Sequence, residues 1–387
     1  MLLNNKLEDR ILGAINTHEI IELLSDFVKI PSISGEEARL AAYEADICSK
    51  IGLDTKIDSH GNVIAVLKGN KPGPRIALNS HLDTVGFGEG WSKDPVGAEI
   101  EGDRLYGRGS ADCKASMVAH LIATKALIEA KADLSGEIVI THVVEEEVQN
   151  TARKGTVRMI KDGFQADMAI NGEATDLNIC VACEGMLEVK INTLGLRAHG
   201  STPEKGINAI SQMCKVINEI SKLQPGYNKY TGYGSIVPGV IKGGERSSVV
   251  PDECELRVSR FIVPGENGPM FYSQILGIIE RLKIADEKFN ARAELVYNSN
   301  PSLISEDEIV VQRMIDAHKY IGLPYTVSGT PQHDDADYLV NMANIPTVIY
   351  GPGHGKIAHM PDEYVLIPDV VTAAKVYALT MFYALRG

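Results

Sequence analysis

Apolar runs of strand length alternate with segments of helical length along this chain, and that rhythm limits its fold more than any other feature. Residues 62–67, 75–78, 137–144 and 167–170 are short apolar or β-branched runs that read as strands. Residues 15–30 read as a helix, with Thr17 as N-cap and acids in the first turn. The alanine-rich stretch 115–130 reads as a second helix. Such alternation predicts an α/β fold, a mostly parallel central sheet flanked by helices on both faces.

The rhythm changes near residue 184. Residues 186–193 read as a strand, 205–223 as a helix, 235–242 and 254–263 as strands, 269–283 as a helix and 291–297 as a strand. That order, β-α-β-β-α-β, is the split unit of a ferredoxin-like α+β domain. After Pro301 the first rhythm returns, with a helix at 306–321, a strand at 347–350 and a helix at 369–385. The expectation is a discontinuous domain, 1–184 and 299–387, carrying an inserted domain at 185–298.

Charge and cysteine usage narrow the function. A formal charge of −13 argues against nucleic-acid or anionic membrane surfaces, and it means that a substrate carboxylate needs local cations. The first residues lack the apolar core of a signal peptide, and no run approaches the roughly 18 apolar residues of a membrane span. A cytoplasmic protein is expected. Six cysteines, at 48, 113, 180, 183, 214 and 254, are scattered and read as reduced. Cys180-x-x-Cys183 has no second pair to complete a zinc site, and Cys113 reads as a packed thiol.

Chemistry concentrates at strand ends. His81 and Asp83 follow the run 75–78: the imidazole can ligate a metal while a carboxylate two residues on fixes its tautomer. Glu145, Glu146 and Glu147 close the apolar strand before them, where side chains meet the crevice at a sheet's carboxyl edge. Adjacent carboxylates there repel unless cations are present, and two metal ions would give the acids separate jobs as ligand and base. A solvated charge run is the plain alternative. Glu173 follows the strand 167–170, and His354 and His359 lie on the glycine-rich loop after 347–350. Oxygen and nitrogen donors of this kind serve hydrolytic dinuclear zinc sites. Gly107-x-Gly109 is no dinucleotide fingerprint, since Asp112 would repel a pyrophosphate. The 351–355 loop lacks the Lys-Ser/Thr ending of a P-loop, and there is no Gly-x-Ser-x-Gly.

Several segments together carry a family resemblance: Ser80 to Val85, Tyr106 to Gly109 with Asp112-x-Lys114, Glu145 to Glu147, Gly172 to Thr175, Arg197 to Pro203 with Gly206-x-Asn208, and Gly351 to Gly353 with His359, Asp362 and Glu363. The chain resembles the zinc-dependent M20 metallopeptidases over nearly its whole length. Within them it is similar to the acetylornithine deacetylase and succinyl-diaminopimelate desuccinylase branch.

The resemblance implies a zinc-peptidase-like catalytic domain, an inserted lid and dimerisation domain, a homodimer, and two zinc ions per chain. Cobalt or manganese suit the same ligands. It implies that Asp112 bridges the ions, with His81 and Glu173 at one and Glu147 and His359 at the other. Asp83 would support His81, and Glu146 would act as general base and then acid. His199 of the partner subunit would stabilise the oxyanion. Arg260 would grip the substrate carboxylate, with Ser248 also at the substrate. Where the family often has Asp before its two working glutamates this chain has Glu145, so the Glu145/Glu146/Glu147 register stays open. Ser248 and Ser259 stand where Asn and Asp are usual.

Other residues carry less. His333 with Asp334, Asp335 and Asp337 reads as a solvated loop, or as a group that tunes substrate choice or touches a metal. His142, inside an apolar strand, reads as a satisfied core histidine, and Phe87 and Trp91 either shape a pocket or pack. The leading functional reading is a di-zinc amidohydrolase acting on an N-acyl amino acid. The alternatives are a peptidase acting on short peptides and a non-catalytic relative, the last opposed by the complete ligand set.

Overall fold

A computed structural model describes residues 6–148 and 150–386. They form two compact units. One runs to Ala182 and resumes over Leu303–Thr330 and from Asp334, and the other is Cys183–Ser302 with Pro331–His333.

The first unit is built on a nine-stranded sheet. Its order is Asp54–Ile57, Val63–Lys68, Ser135–Val143, Lys71–His81, Met168–Asn171, Thr347–Ile349, Ile179–Cys183 and Ser302–Leu303, with Val327–Thr330 also pairing with Ile179–Cys183. The four strands from Ser135–Val143 to Thr347–Ile349 are parallel, while Asp54–Ile57, Val63–Lys68 and Ile179–Cys183 pair antiparallel with their neighbours. The register sets His81 beside Val143, and Asn171 beside both Asn79 and Ile349. The parallel strands therefore finish at one level, and whatever follows each of them emerges along one edge.

Strand alternation places helices on both faces. Ser80 and His142 are register partners, and His142 bonds to His120 of helix Ala115–Glu129. Ala77 and Ala169, one face over, pack with Leu339 and Ile345 beside helix Ala336–Asn341. Helix Ala115–Glu129 is buried on nearly every side and packs against the long helix Ile367–Leu385. A helix apolar all round is stable only inside a layered core such as this one.

The second unit is a four-stranded antiparallel sheet, ordered Ser235–Gly243, Glu253–Ile262, Gly185–Leu194, Ala291–Asn298. Helices Ala209–Ile220 and Gly268–Ala285 cover one face, closing a core that includes Val189, Ile191, Met213, Leu256, Phe271 and Ile278. This is the ferredoxin-like arrangement. The edge strand Ser235–Gly243 is exposed for most of its length, with Val237, Val240 and Ile241 in solvent.

Some boundaries differ from the sequence reading. Helix Thr17–Lys29 is capped by Asn16, whose side chain accepts from the backbone N–H of His18 and Glu19, so Thr17 is its first residue and not its cap. The helix expected at 205–223 spans Ala209–Ile220, with Asn208 as cap. Unforeseen elements include helix Ala38–Ile51, helix Gly155–Lys161, strand Ile179–Cys183 and a small sheet of Ile100–Glu101, Arg104–Tyr106 and Tyr364–Leu366. All six cysteines are free, and only Cys214 is exposed. Among the described residues no helix is long and apolar enough to cross a membrane.

Candidate metal centre

His81 ends the second parallel strand and is 2% exposed. Its Nδ1 lies 2.8 Å from the Asp83 backbone carbonyl, so Nδ1–H donates there and the Nε2 lone pair is left for a cation. Nε2 faces Asp112 Oδ1 at 3.1 Å and Glu173 Oε1 at 3.9 Å. The Asp83 carboxylate, expected to hold the ring, is 3.6 Å away and does other work. It accepts from the backbone N–H of Glu146 (2.9 Å) and Glu147 (3.0 Å) and from Ser34 Oγ (2.7 Å). Asp83 thus ties one strand end to the acidic run after the next. The backbone carbonyl reaches the ring first because it already lies in the turn that follows His81.

Asp112 sits between the two histidines. Its Oδ1 faces His81, and its Oδ2 lies 3.2 Å from His359 Nε2, which is also 2.9 Å from Glu147 Oε1. Two donor groups result. His81, Asp112, Cys113 and Glu173 form one, and Asp112, Glu147 and His359 the other, with the ligand atoms of each group within 4.8 Å of one another. Asp112 belongs to both.

Buried polar groups brace this loop. Glu363 Oε1 accepts from the backbone N–H of Ala111 and Asp112, and its Oε2 takes Arg108 Nη1 at 2.6 Å. Arg108 also donates to the carbonyls of His359, Met360 and Phe87, and stacks 5.1 Å from the Trp91 ring. Trp91 is therefore packing for Arg108. Lys114 donates to the carbonyls of Phe27 and Ile30, and burial pushes its pKa down to about 7. Gly172 lets the segment before Glu173 lie against helix Ala115–Glu129: a Cβ there would come within 2.7 Å of the His120 ring.

The three consecutive glutamates separate by partner. Glu145 pairs with Arg153 and Arg158, Glu146 with the buried Lys154 at 2.9 Å, and Glu147 with His359. Burial, then the Asp112 charge, pushes the Glu147 carboxyl up to about 7. Burial likewise pushes Glu173 well up. Asp112 goes the other way: burial would raise it, but its bonds to His359 and His81 hold it low. Asp112 and Glu147 in turn push His359 up to about 10. Asp112, Glu147 and Glu173 crowd around two imidazoles, and divalent cations resolve that conflict. The donors fit such ions in type: imidazole nitrogen and carboxylate oxygen, with one carboxylate offering an oxygen to each group.

Of two further expectations, one needs correction and one holds. Asp334, Asp335 and Asp337 are not solvated but buried. Asp335 accepts from Thr156 and Asn79, and Asp334 from Asn171, so the loop packs beneath the strand ends. His142 is a core histidine as read: it bonds to Glu44 and His120 with no exposed surface.

His199, Ser248 and Arg260 lie in the second unit. Strand Ala198–His199 pairs with Val249–Val250, and Gly200 N–H donates to the Ser248 carbonyl at 2.8 Å. A Cβ at Gly200 would meet that carbonyl at 2.7 Å, so glycine permits the close approach. The His199 ring is exposed and bonds Ser201 Oγ through Nδ1. Arg260 lies on the buried face of its strand. It is 3% exposed, its guanidinium pairs with Glu266, and it stacks 5.0 Å from Phe271. It shares the inward face of Glu253–Ile262 with Cys254, Leu256 and Val258, and its Nε and Nη1 have no hydrogen-bond partner among the described residues.

Comparison with known proteins adds a family. A profile described as peptidase family M20/M25/M40 matches residues 77–382. N-formyl-4-amino-5-aminomethyl-2-methylpyrimidine deformylase of Bacillus subtilis is 28% identical over 354 residues, 81% of each chain. A probable succinyl-diaminopimelate desuccinylase of Staphylococcus aureus is 24% identical, covering 93% of this chain and 98% of that one. The crystal structure of a Staphylococcus aureus tripeptidase superposes with TM-score 0.81 at 22% identity, covering 96% of this chain and all of that one.

Proposed function

Because the chain belongs to peptidase family M20/M25/M40, whose members here are metal-dependent amide hydrolases, we propose that it removes a small acyl group from an N-acylated amino acid, in the manner of the acetylornithine deacetylase and succinyl-diaminopimelate desuccinylase branch. The observation that carries the reading is the shared carboxylate: Asp112 offers one oxygen to each of two donor groups. His81, Asp112 and Glu173 would hold one divalent ion, and Asp112, Glu147 and His359 the other, zinc being the first choice. When bound, such a pair polarises an amide carbonyl and acidifies water near neutral pH.

The chain's own residues do the rest. Glu146 pairs with the buried Lys154, and of the three glutamates it is the one that neither belongs to a donor group nor faces an arginine. It takes the proton of the attacking water at a carboxylate oxygen and returns it to the leaving amine. Asp83 fixes the backbone of both Glu146 and Glu147, so base and ligand keep a constant spacing. Arg108 and Glu363 hold the Asp112 and His359 segments together. His199 of the partner subunit donates to the developing oxyanion, and Ser248, on the adjoining strand end, contacts substrate.

The second unit serves as lid and dimerisation domain of a homodimer. Its exposed apolar edge strand, Ser235–Gly243, supports that role, since such an edge is a ready surface for pairing. Free buried thiols support a reducing, cytoplasmic setting.

The test is release of primary amine from two panels by zinc- or cobalt-loaded protein. One panel holds N-acetyl, N-succinyl and N-formyl amino acids, the other dipeptides and tripeptides. Release from the acylated panel alone is expected, and release from peptides alone overturns the substrate class.

A further inference from the structure

We propose that Cys113 is a sulfur ligand of the cation held by His81, Asp112 and Glu173, so that the two metal sites differ in chemical character. The inference rests on the dinuclear reading above and concerns a residue that reading does not use. Cys113 has no exposed surface, and its Sγ belongs to the same donor group as the His81 nitrogen and the Asp112 and Glu173 oxygens, within 4.8 Å of each. Four donors around one point is the number that a closed tetrahedral site takes. The other group, Asp112, Glu147 and His359, has three donors, no sulfur, and a half-exposed imidazole.

The present partners of the thiol do not compete with a metal. Its nearest contact is Ser80 Oγ at 2.8 Å, and Ser80 can give its own proton to the Gly172 carbonyl at 3.0 Å. That leaves the Cys113 S–H to donate to Ser80 or to the His81 carbonyl at 3.8 Å. The backbone N–H of His81 points at Sγ from 3.5 Å, an amide-to-sulfur contact suited to supporting a bound thiolate. On coordination the S–H bond breaks, a sulfur–metal bond forms, and the proton leaves to solvent. Site one becomes a buried N, O, O, S set and site two an open N, O, O set. Thiolate favours softer ions, so cadmium, zinc and cobalt should settle first at site one, whereas manganese gains nothing from the sulfur.

Cobalt supplies the test. Apoprotein is titrated with cobalt(II) while the visible ligand-field bands and the near-ultraviolet sulfur-to-cobalt charge-transfer band are recorded, with Cys113→Ser and Cys113→Ala alongside. The expected result is both signals in the native chain, with the charge-transfer band lost and the visible bands kept in the variants. Cadmium affinity should fall about tenfold or more in the variants while manganese affinity holds. Visible bands with no charge-transfer band in the native chain overturn the proposal without touching the dinuclear reading, and that measurement needs no variant to fold. A charge-transfer band surviving in both variants assigns the sulfur elsewhere and also overturns it. A native chain that takes up no cobalt overturns both readings together.

Discussion

Neutralising the three consecutive glutamates one at a time should give three different failures, because each faces a different partner. Glu146 pairs only with Lys154 in the described contacts of its carboxylate, and no neighbouring acid can replace it: Glu147 is held by His359 and Glu145 by two arginines. Removing a positioned general base costs about 10²–10⁴ in kcat. That is about 3–5 kcal/mol of transition-state stabilisation. Glu146→Gln should therefore show that fall with metal content unchanged. Glu147→Gln should instead lose the metal at the His359 site, since one of three donors is gone. Glu145→Gln gives up ion pairs whose arginine partners are 51% and 28% exposed, worth about 0–1 kcal/mol of stability, and its turnover should stay within a few-fold of native. Metal content by elemental analysis, read beside kcat on one N-acyl amino acid, separates the three. If Glu145→Gln is the variant that keeps both metals and loses turnover, the assignment of partners made here is wrong.

Asp112→Ala should deplete both sites, and a variant that still binds two ions per chain would remove its bridging role. Inactive His199→Ala and inactive Glu146→Ala chains, unfolded and refolded together, should regain part of the activity if His199 works across the dimer; verified mixed dimers with none would refute that. Glu184, only 4% exposed, has its carboxyl pushed from 4.5 up to about 7, by burial first and then by the Glu266 charge. An acid that binds its proton more tightly when folded adds stability below pH 4.5 and loses it as pH rises through 7. Glu184→Gln should then raise stability at pH 8 by about 1–2 kcal/mol, after allowing for partial hydration, and change little at pH 4. Denaturant melts at the two pH values decide it, and an equal effect at both would show that the carboxyl titrates normally.

The chemistry that sequence made visible was the chemistry that follows apolar runs. His81, Glu147 and Glu173 all come within a few residues of a parallel strand's end, so a strand pattern and an acid or histidine sufficed. Asp112 gave no such signal, since it lies in the short irregular turn Ser110–Lys114, and only a family resemblance could single it out. The burial of Arg260 was legible. Cys254, Leu256 and Val258 alternate on the buried face of their strand, and Arg260 continues that alternation, so burial could have been expected of it. Asp334 and Asp335 show the opposite limit. Their partners Asn79, Thr156 and Asn171 come from distant segments, and a buried paired carboxylate looks the same in sequence as a solvated one. Cys113 was rightly read as packed, but what it packs against depends on the path of a loop.

Strand ends that meet along one edge also impose an order in time. His81 and His359 stand far apart in the chain, with the whole of Cys183–Ser302 between Glu173 and His359. That intervening stretch closes on its own core, and its two ends rejoin through the neighbouring strands Ile179–Cys183 and Ser302–Leu303. A compact insertion spans the gap at less entropic cost than a loose loop of equal length would. Even so, on the proposed dinuclear reading the second donor group is incomplete until the segment holding His359 has docked. On that reading, capture of the second ion would belong to the end of folding, and a chain truncated before His359 would keep only the His81 donor group.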